Sequence, residues 1–231
     1  MLYFDPVAHT YKNPLTQEEY ISTTTLLSRY KKPFDVEKMS KRIAEKEGIS
    51  QEEVKAKWKK INGDSKVYGQ NFHSALEQYH KEHTVQEGYE DIIEAYEDLG
   101  VIDKDDELLV EEKLFNHYYK LAGTSDIIRL EKNGGFSIFD LKTNKKFNLY
   151  SQYNECLLNP IQHLSACEFN TYGLQLSIYA YMFHGLTGRR VNQLGVIYFD
   201  KETKKFSYYP VPYLLSDVKA ILDHYAKNRL G

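Results

Sequence analysis

Cysteine is nearly absent. The 231-residue chain has two, Cys156 and Cys167, too few for a disulfide framework or a four-cysteine metal cluster. Long apolar runs are missing too: nothing approaches the roughly 18 to 20 consecutive apolar residues of a membrane span. The opening MLYFDPVAHTYK lacks the basic start and apolar core of a secretory signal, so none is expected. Net positive charge is also lacking, since 30 Lys+Arg against 33 Asp+Glu leave −3. That excludes binding nucleic acid by bulk charge, but not by local lysine clusters or bound cations. No repeat, low-complexity tract or Pro/Gly/Ser linker divides the chain. These absences predict one soluble globular domain working in the cytoplasm.

Helical and strand patterns are both present. The first twenty or so residues, with Asn13 and Pro14, suit an extended hairpin or loop. Ser22 to Thr25 opens a helix through Leu26, Leu27 and Tyr30 that Pro33 ends. From Val36 to about Lys60 the chain is helix-prone and charged, interrupted by Gly48 and restarted by a capping box, Ser50 with Glu53. A second helix is expected over about Asp64–His83, with Phe72, Leu76 and Tyr79 in one stripe and His73 and Glu77 one turn apart beside it. Another, about Gly88–Leu99, ends at Gly100.

Three strands should follow, Leu108–Tyr119, Leu121–Leu130 and Phe136–Thr143, the last two joined across Asn133-Gly134. Then come a helix over about Tyr172–Leu186, a hairpin of Val196–Asp200 and Lys205–Pro210, and a closing helix over Ser216–Arg229. Together they predict a mixed α/β domain around a central sheet. Its helical N-terminal portion would span about residues 1–65 and its catalytic core about 66–231.

Chemistry concentrates in the hairpin. Along Phe136–Thr143, strand periodicity puts Asp140 and Lys142 on one face and Phe139 and Leu141 on the other. Ionised groups on so apolar a strand need partners or a metal. Folding about Asn133-Gly134 brings Asp126, in Gly123-Thr124-Ser125-Asp126, opposite residues 140–142. Two carboxylates there would repel unless a divalent cation lay between them, and oxygen ligands point to Mg²⁺ or Mn²⁺. For an isolated Asp-x-Lys, an ordinary ion pair between Lys142 and one aspartate would be the better explanation; the motifs around it shift the balance.

Five motifs in order resemble the RecB-type branch of the PD-(D/E)xK nucleases. They are Gly69-x3-His73-x3-Glu77, Glu112 with Leu114, Gly123-x-x-Asp126, Asp140-Leu141-Lys142-Thr143 and Gln175-x3-Tyr179. The stretch from Asn159-Pro160 through Tyr172 to Tyr181 is similar to phage-borne exonucleases, and the arrangement to the mitochondrial genome-maintenance exonuclease. The resemblance implies a single mixed-sheet nuclease core with flanking helices, and a Mg²⁺-dependent deoxyribonuclease acting as an exonuclease or on single strands and flaps, with DNA bearing a single-stranded end as its partner. It implies that Asp126, Asp140 and the Leu141 carbonyl hold the metal, and that His73 completes its shell or touches the scissile phosphate. Lys142 would orient or deprotonate water and stabilise phosphate charge, while Gln175 and Tyr179 steady Lys142 and the substrate. Glu77 and Glu112 are possible additional acids; Glu111 is adjacent, but the spacing to Leu114 favours Glu112. The iron–sulfur cluster of some relatives is not expected with two cysteines. A phage origin, with action in a bacterial host, fits the resemblance.

Other features are more ambiguous. Lys145 and Lys146, leaving the end of the Asp140 strand, and the pair Arg189 and Arg190 are candidate DNA contacts, while Lys55–Lys60 reads equally as a solvated face. Trp58 and Tyr68 could stack on bases or pack in the core. His73, Glu77 and His80 lack the H-E-x-x-H spacing of a zinc site. Two competing functions are a non-catalytic nucleic-acid-binding module on the same fold and a hydrolase of small phosphoesters.

Overall fold

Local signals shape the first half of the chain. The computed structural model describes residues 3–5, 10–151 and 153–230, apart from the side chains of Phe4 and Leu230. Three short strands come first, β1 (Tyr3–Asp5), β2 (Thr10–Lys12) and β3 (Glu19–Ser22). The Ser22 hydroxyl accepts the Thr25 N–H and so caps α1 (Thr23–Ser28). Asp35 caps α2 (Val36–Glu47), which Gly48 ends in the left-handed conformation at φ +68°. A reciprocal capping box of Ser50 and Glu53 starts α3, which runs unbroken over Gln51–Glu82. The two helices expected on either side of Gly63 are therefore one, because an interior glycine costs only about 1 kcal/mol and does not break a helix. α4 spans Glu90–Asp98.

Next come β4 (Glu107–Asn116), β5 (Leu121–Leu130) and β6 (Phe136–Lys142), an antiparallel meander that turns at Gly134 with φ +81°. α5 (Glu168–Thr187) crosses over to β7 (Val191–Asp200), parallel to β6, and β8 (Lys205–Val211) and α6 (Leu215–Leu230) complete the chain. Among the described residues eight strands form one mixed sheet in the order β1-β2-β3-β5-β6-β7-β8, with β4 also paired to β5. The expected mixed α/β domain with a central sheet is thus what the chain forms. β3 lies parallel to β5, with Ile21 beside Leu121 and Ser22 beside Ala122. The N-terminal segment therefore contributes strands to this sheet, and residue 65 falls inside α3.

Helices cover both sheet faces. Leu26 of α1, Leu174 and Ile178 of α5 and Ile221 of α6 pack on Ile128, Ile138 and Val196. Phe72 and Leu76 of α3 and Ile93 and Tyr96 of α4 pack on Ile127, Phe139, Leu141 and Ile197. Successive β6 residues thus enter opposite cores, the two-residue period of a strand buried on both sides. Among the described residues no helix is long and apolar enough to cross a membrane.

Behind α4, the His80 Nε2 lies 3.0 Å from the Tyr96 hydroxyl. Burial, reinforced by nearby His83, pulls the His80 pKa down from 6.5 to about 4. The folded protein therefore binds fewer protons than the unfolded chain between those values, and stability falls as pH drops through that window. The loss attributable to His80 is at most about 3 kcal/mol. Urea unfolding at pH 7 and pH 4.5 should show a smaller drop in midpoint for His80→Asn than for the parent; equal drops would rule His80 out as the source.

Candidate active site

The sheet opens at one place. The β5–β6 ladder stops at Ile127 and Phe139, and β3 pairs only with Leu121 and Ala122 of β5. Gly123–Asp126 lies between the two pairings. There the Asp126 Oδ2 accepts the Leu141 N–H at 2.7 Å, so a carboxylate takes the place of a ladder carbonyl. On the other side of β5, Val110 and Glu112 pair regularly with Ile127 and Ser125, but Glu111 between them has φ +54°. A left-handed backbone at a non-glycine residue costs of order 1–3 kcal/mol.

This opening lets both helical layers reach one group of side chains. From α3, the His73 Nδ1 stands 3.6 Å from the Asp126 Oδ1 and 3.7 Å from the Glu111 Oε1, close but beyond good hydrogen bonds. One donor atom from each of these residues lies within 4.8 Å of the others. Burial alone would lower the His73 pKa, but Asp126 and Glu111 outweigh it and raise the value to about 8.

From β6, the Lys142 Nζ meets the Asp140 Oδ2 at 2.6 Å, with the Asp140 side chain 2% exposed. Burial lifts the Asp140 pKa and Lys142 opposes that, while Asp126 adds repulsion and leaves it above the usual carboxylate range. Burial disfavours the Lys142 cation, yet Asp140 and Asp126 outweigh it and hold its pKa above the ordinary lysine value.

α5 supplies the opposite wall. The Gln175 amide donates to the Asp140 Oδ1 at 3.4 Å and the Tyr179 hydroxyl at 3.3 Å. Lys142 Nζ sits 4.9 Å from the centre of the Tyr172 ring, within cation–π range. Burial raises the Tyr172 pKa to about 12, and burial with the two aspartates raises Tyr179 well above its usual value. Both phenols therefore stay neutral near pH 7.

The structure brings together His73, Asp126, Asp140, Lys142, Gln175 and Tyr179, with the Leu141 N–H bound to Asp126. It separates others. Glu77 pairs with Lys81 at 2.7 Å, one turn along α3, outside this group. Glu112 pairs across from Ser125, and its neighbour Glu111 takes the place by His73. Gln175 contacts Asp140 rather than Lys142. Lys145 and Lys146 are exposed just beyond the end of β6. Arg189 and Arg190 precede Val191, which lies beside Phe136, so they stand at the opposite end of β6, roughly 13 Å from Asp140 at 3.3 Å per residue.

Of the aromatics, Tyr68 stacks on core Phe72 at 6.5 Å and Trp58 packs edge-on to Phe34 at 5.7 Å. Sequence reasoning missed Tyr172, although it shares one face of α5 with Gln175 and Tyr179 at i, i+3 and i+7.

Two carboxylates and an imidazole, with Asp140 beside them, suit a hard or borderline divalent cation. His73, Glu111 and Asp126 could hold one. Those three side chains face one another without mutual hydrogen bonds, and clustered carboxylates of this kind are stabilised by a cation.

Comparison with known proteins identifies the family. No match was found among curated proteins. Among solved structures, SSO0001 is 15% identical over 93% of this chain and 77% of its own, at a TM-score of 0.43. A protein from Eubacterium rectale, provisionally named an exonuclease, is 12% identical over 88% of this chain and 69% of its own, at 0.40. Both are loose overall likenesses. The model of the PD-(D/E)XK nuclease superfamily matches residues 26–228, a span that holds every side chain of this centre. The chain belongs to the PD-(D/E)XK nuclease superfamily.

Proposed function

We propose that the chain is a Mg²⁺- or Mn²⁺-dependent deoxyribonuclease of the RecB-type branch, hydrolysing DNA phosphodiester bonds at a single-stranded end or flap. The observation that carries this is the buried Asp140–Lys142 pair, 2.6 Å apart, at the edge of the His73, Glu111 and Asp126 group. A bound divalent ion supplies Lewis acidity and lowers the pKa of its water. The chain's own residues do the positioning. Asp126 is fixed by the Leu141 N–H, and Asp140 by Lys142 and Gln175. Lys142, paired with one aspartate and close to a second, stabilises charge developing on the phosphate and orients the attacking water. The RecB-type reading rests on the order of the five sequence motifs, and the strand-end preference on the same resemblance.

End-labelled single- and double-stranded oligonucleotides, incubated with Mg²⁺, Mn²⁺ or EDTA, test the proposal. Cleavage should require metal, favour single-stranded ends and give a product ladder from one end, with little competition from mononucleotides. Folded, metal-bound protein that cuts neither substrate would overturn it. Strong competition by a mononucleotide would instead indicate a small-phosphoester hydrolase.

A further inference from the structure

We propose that Tyr150 and Tyr153 form a stacking platform for unpaired bases of the strand held at the catalytic centre; this inference rests on the nuclease reading and names how a single strand would be gripped. These side chains are 79% and 81% exposed, the most exposed large aromatics among the described residues. Isolated exposed aromatics are ordinary. These two stand three residues apart in the segment joining β6 to α5, which leaves the sheet directly after Lys142 and Thr143.

The described residues of that segment are braced by several contacts. Phe147 stacks on Tyr209 at 4.3 Å and on Tyr172 at 6.0 Å, the ring beneath Lys142. The Asn148 amide donates to Glu168 of α5 at 2.9 Å. Further on, the Ser151 N–H donates to the Ser165 hydroxyl, and the Ser151 hydroxyl accepts the N–H groups of Tyr153 and Glu155. The backbone is thus pinned on both sides of Tyr150 and again at Tyr153, while neither phenol packs on another ring among the described residues. A braced backbone presenting free aromatic faces loses little entropy when a base stacks on them.

The surrounding charge fits a phosphate backbone. Lys145 and Lys146 are exposed between β6 and the anchored Phe147. Beside Tyr172 lies a cavity of about 310 Å³ whose charged lining is Lys31, Lys32, Glu155 and Glu168. Lys32 is paired with Glu155 at 3.6 Å, whereas Lys31 forms no ion pair among the described residues. Cations that follow a backbone, interleaved with aromatic faces, are the means by which proteins hold single strands without reading sequence. A duplex keeps its bases stacked on one another and cannot use such a platform.

The test is binding of the full-length chain, in EDTA, to a fluorescent single-stranded oligonucleotide and to an abasic deoxyribose-phosphate oligomer of equal length. The parent should bind the base-bearing strand about tenfold or more tighter, since one stacked base is worth at least that order. Combining Tyr150→Ala with Tyr153→Ala should erase this preference and leave abasic binding unchanged. Phe at both positions should restore it, because the stacking face remains. In Mg²⁺ the Ala pair should raise KM for single strands about tenfold with kcat little altered.

A base preference that survives in the Ala pair, or is missing from the parent, overturns the platform and leaves the exposed tyrosines to a protein partner. If the parent binds single strands but cleaves nothing, the nuclease reading fails while the binding comparison still decides the platform. If it binds none, both fail.

Discussion

Asp140→Asn should lower metal-dependent cleavage by about a thousandfold or more, the scale seen when a charged group acting on the reacting phosphate or its water is removed. The exchange is nearly isosteric, and the side chain is 2% exposed, so packing changes little. What changes is charge. The aspartate is the principal partner of the Lys142 ammonium and completes the carboxylate group around the opening in the sheet. Burial already disfavours its ionised form. Without metal, replacing it by a neutral amide therefore relieves one unfavourable charge while weakening the hold on Lys142. Lys142→Met should cost a similar factor in rate, but it leaves the buried Asp140 unpaired, a costlier state for the fold. Initial rates on a labelled oligonucleotide, with thermal melts alongside, separate these effects. Near-parental cleavage by well-folded Asp140→Asn would remove Asp140 from the reaction.

Legibility in the sequence followed the range of the interactions concerned. Elements set by neighbouring residues could be read directly: the Ser50–Glu53 box, the Gly48 stop and the Asn133-Gly134 turn all act within a few positions. So did the placement of Asp140 and Lys142 on one strand face, which needs only a two-residue period. Elements set by distant partners were harder. β7 begins at Val191 rather than Val196 because its polar first residues are held by parallel pairing to β6, not by their own propensity. Gly195, which weakens any strand pattern, sits where a Cβ would collide with the Tyr208 ring. The parallel pairing of Ile21 with Leu121 leaves no local trace at all.

The site shows the same division. Spacing favoured Glu112, but the left-handed backbone at Glu111 turns the neighbouring carboxylate toward His73, and periodicity assumes a regular strand. Arg189 and Arg190 were legible in principle. A β-α-β crossover returns the chain to the start of the preceding parallel strand, so residues just before β7 must lie away from the Asp140 end. Only the recognition that β6 and β7 are parallel was missing.

Gly123→Ala should destabilise the protein by about 1–3 kcal/mol, the usual cost of overpacking, although only one methyl is added. A Cβ at Gly123 would lie 2.6 Å from Cε1 of Tyr179 and 3.1 Å from both its hydroxyl and the Thr23 Oγ1. Tyr179 has little room to retreat, being 4% exposed on a helix packed against the sheet. Its hydroxyl also accepts the same Gln175 amide that reaches Asp140, so displacing the ring disturbs the support of the Asp140 carboxylate. Activity should therefore fall along with stability.

Because the nearest atom is a ring carbon, Tyr179→Phe should not relieve the clash, whereas Tyr179→Leu should. Gly123→Ala introduced into Tyr179→Leu should cost almost nothing further, giving a coupling energy of about 1 kcal/mol or more between the positions. Additive costs in urea unfolding would show that the glycine answers some other constraint. The glycine of Gly-x-x-Asp is thus a space left on β5 for the tyrosine of Gln-x3-Tyr on α5, and two motifs far apart in sequence are halves of one contact.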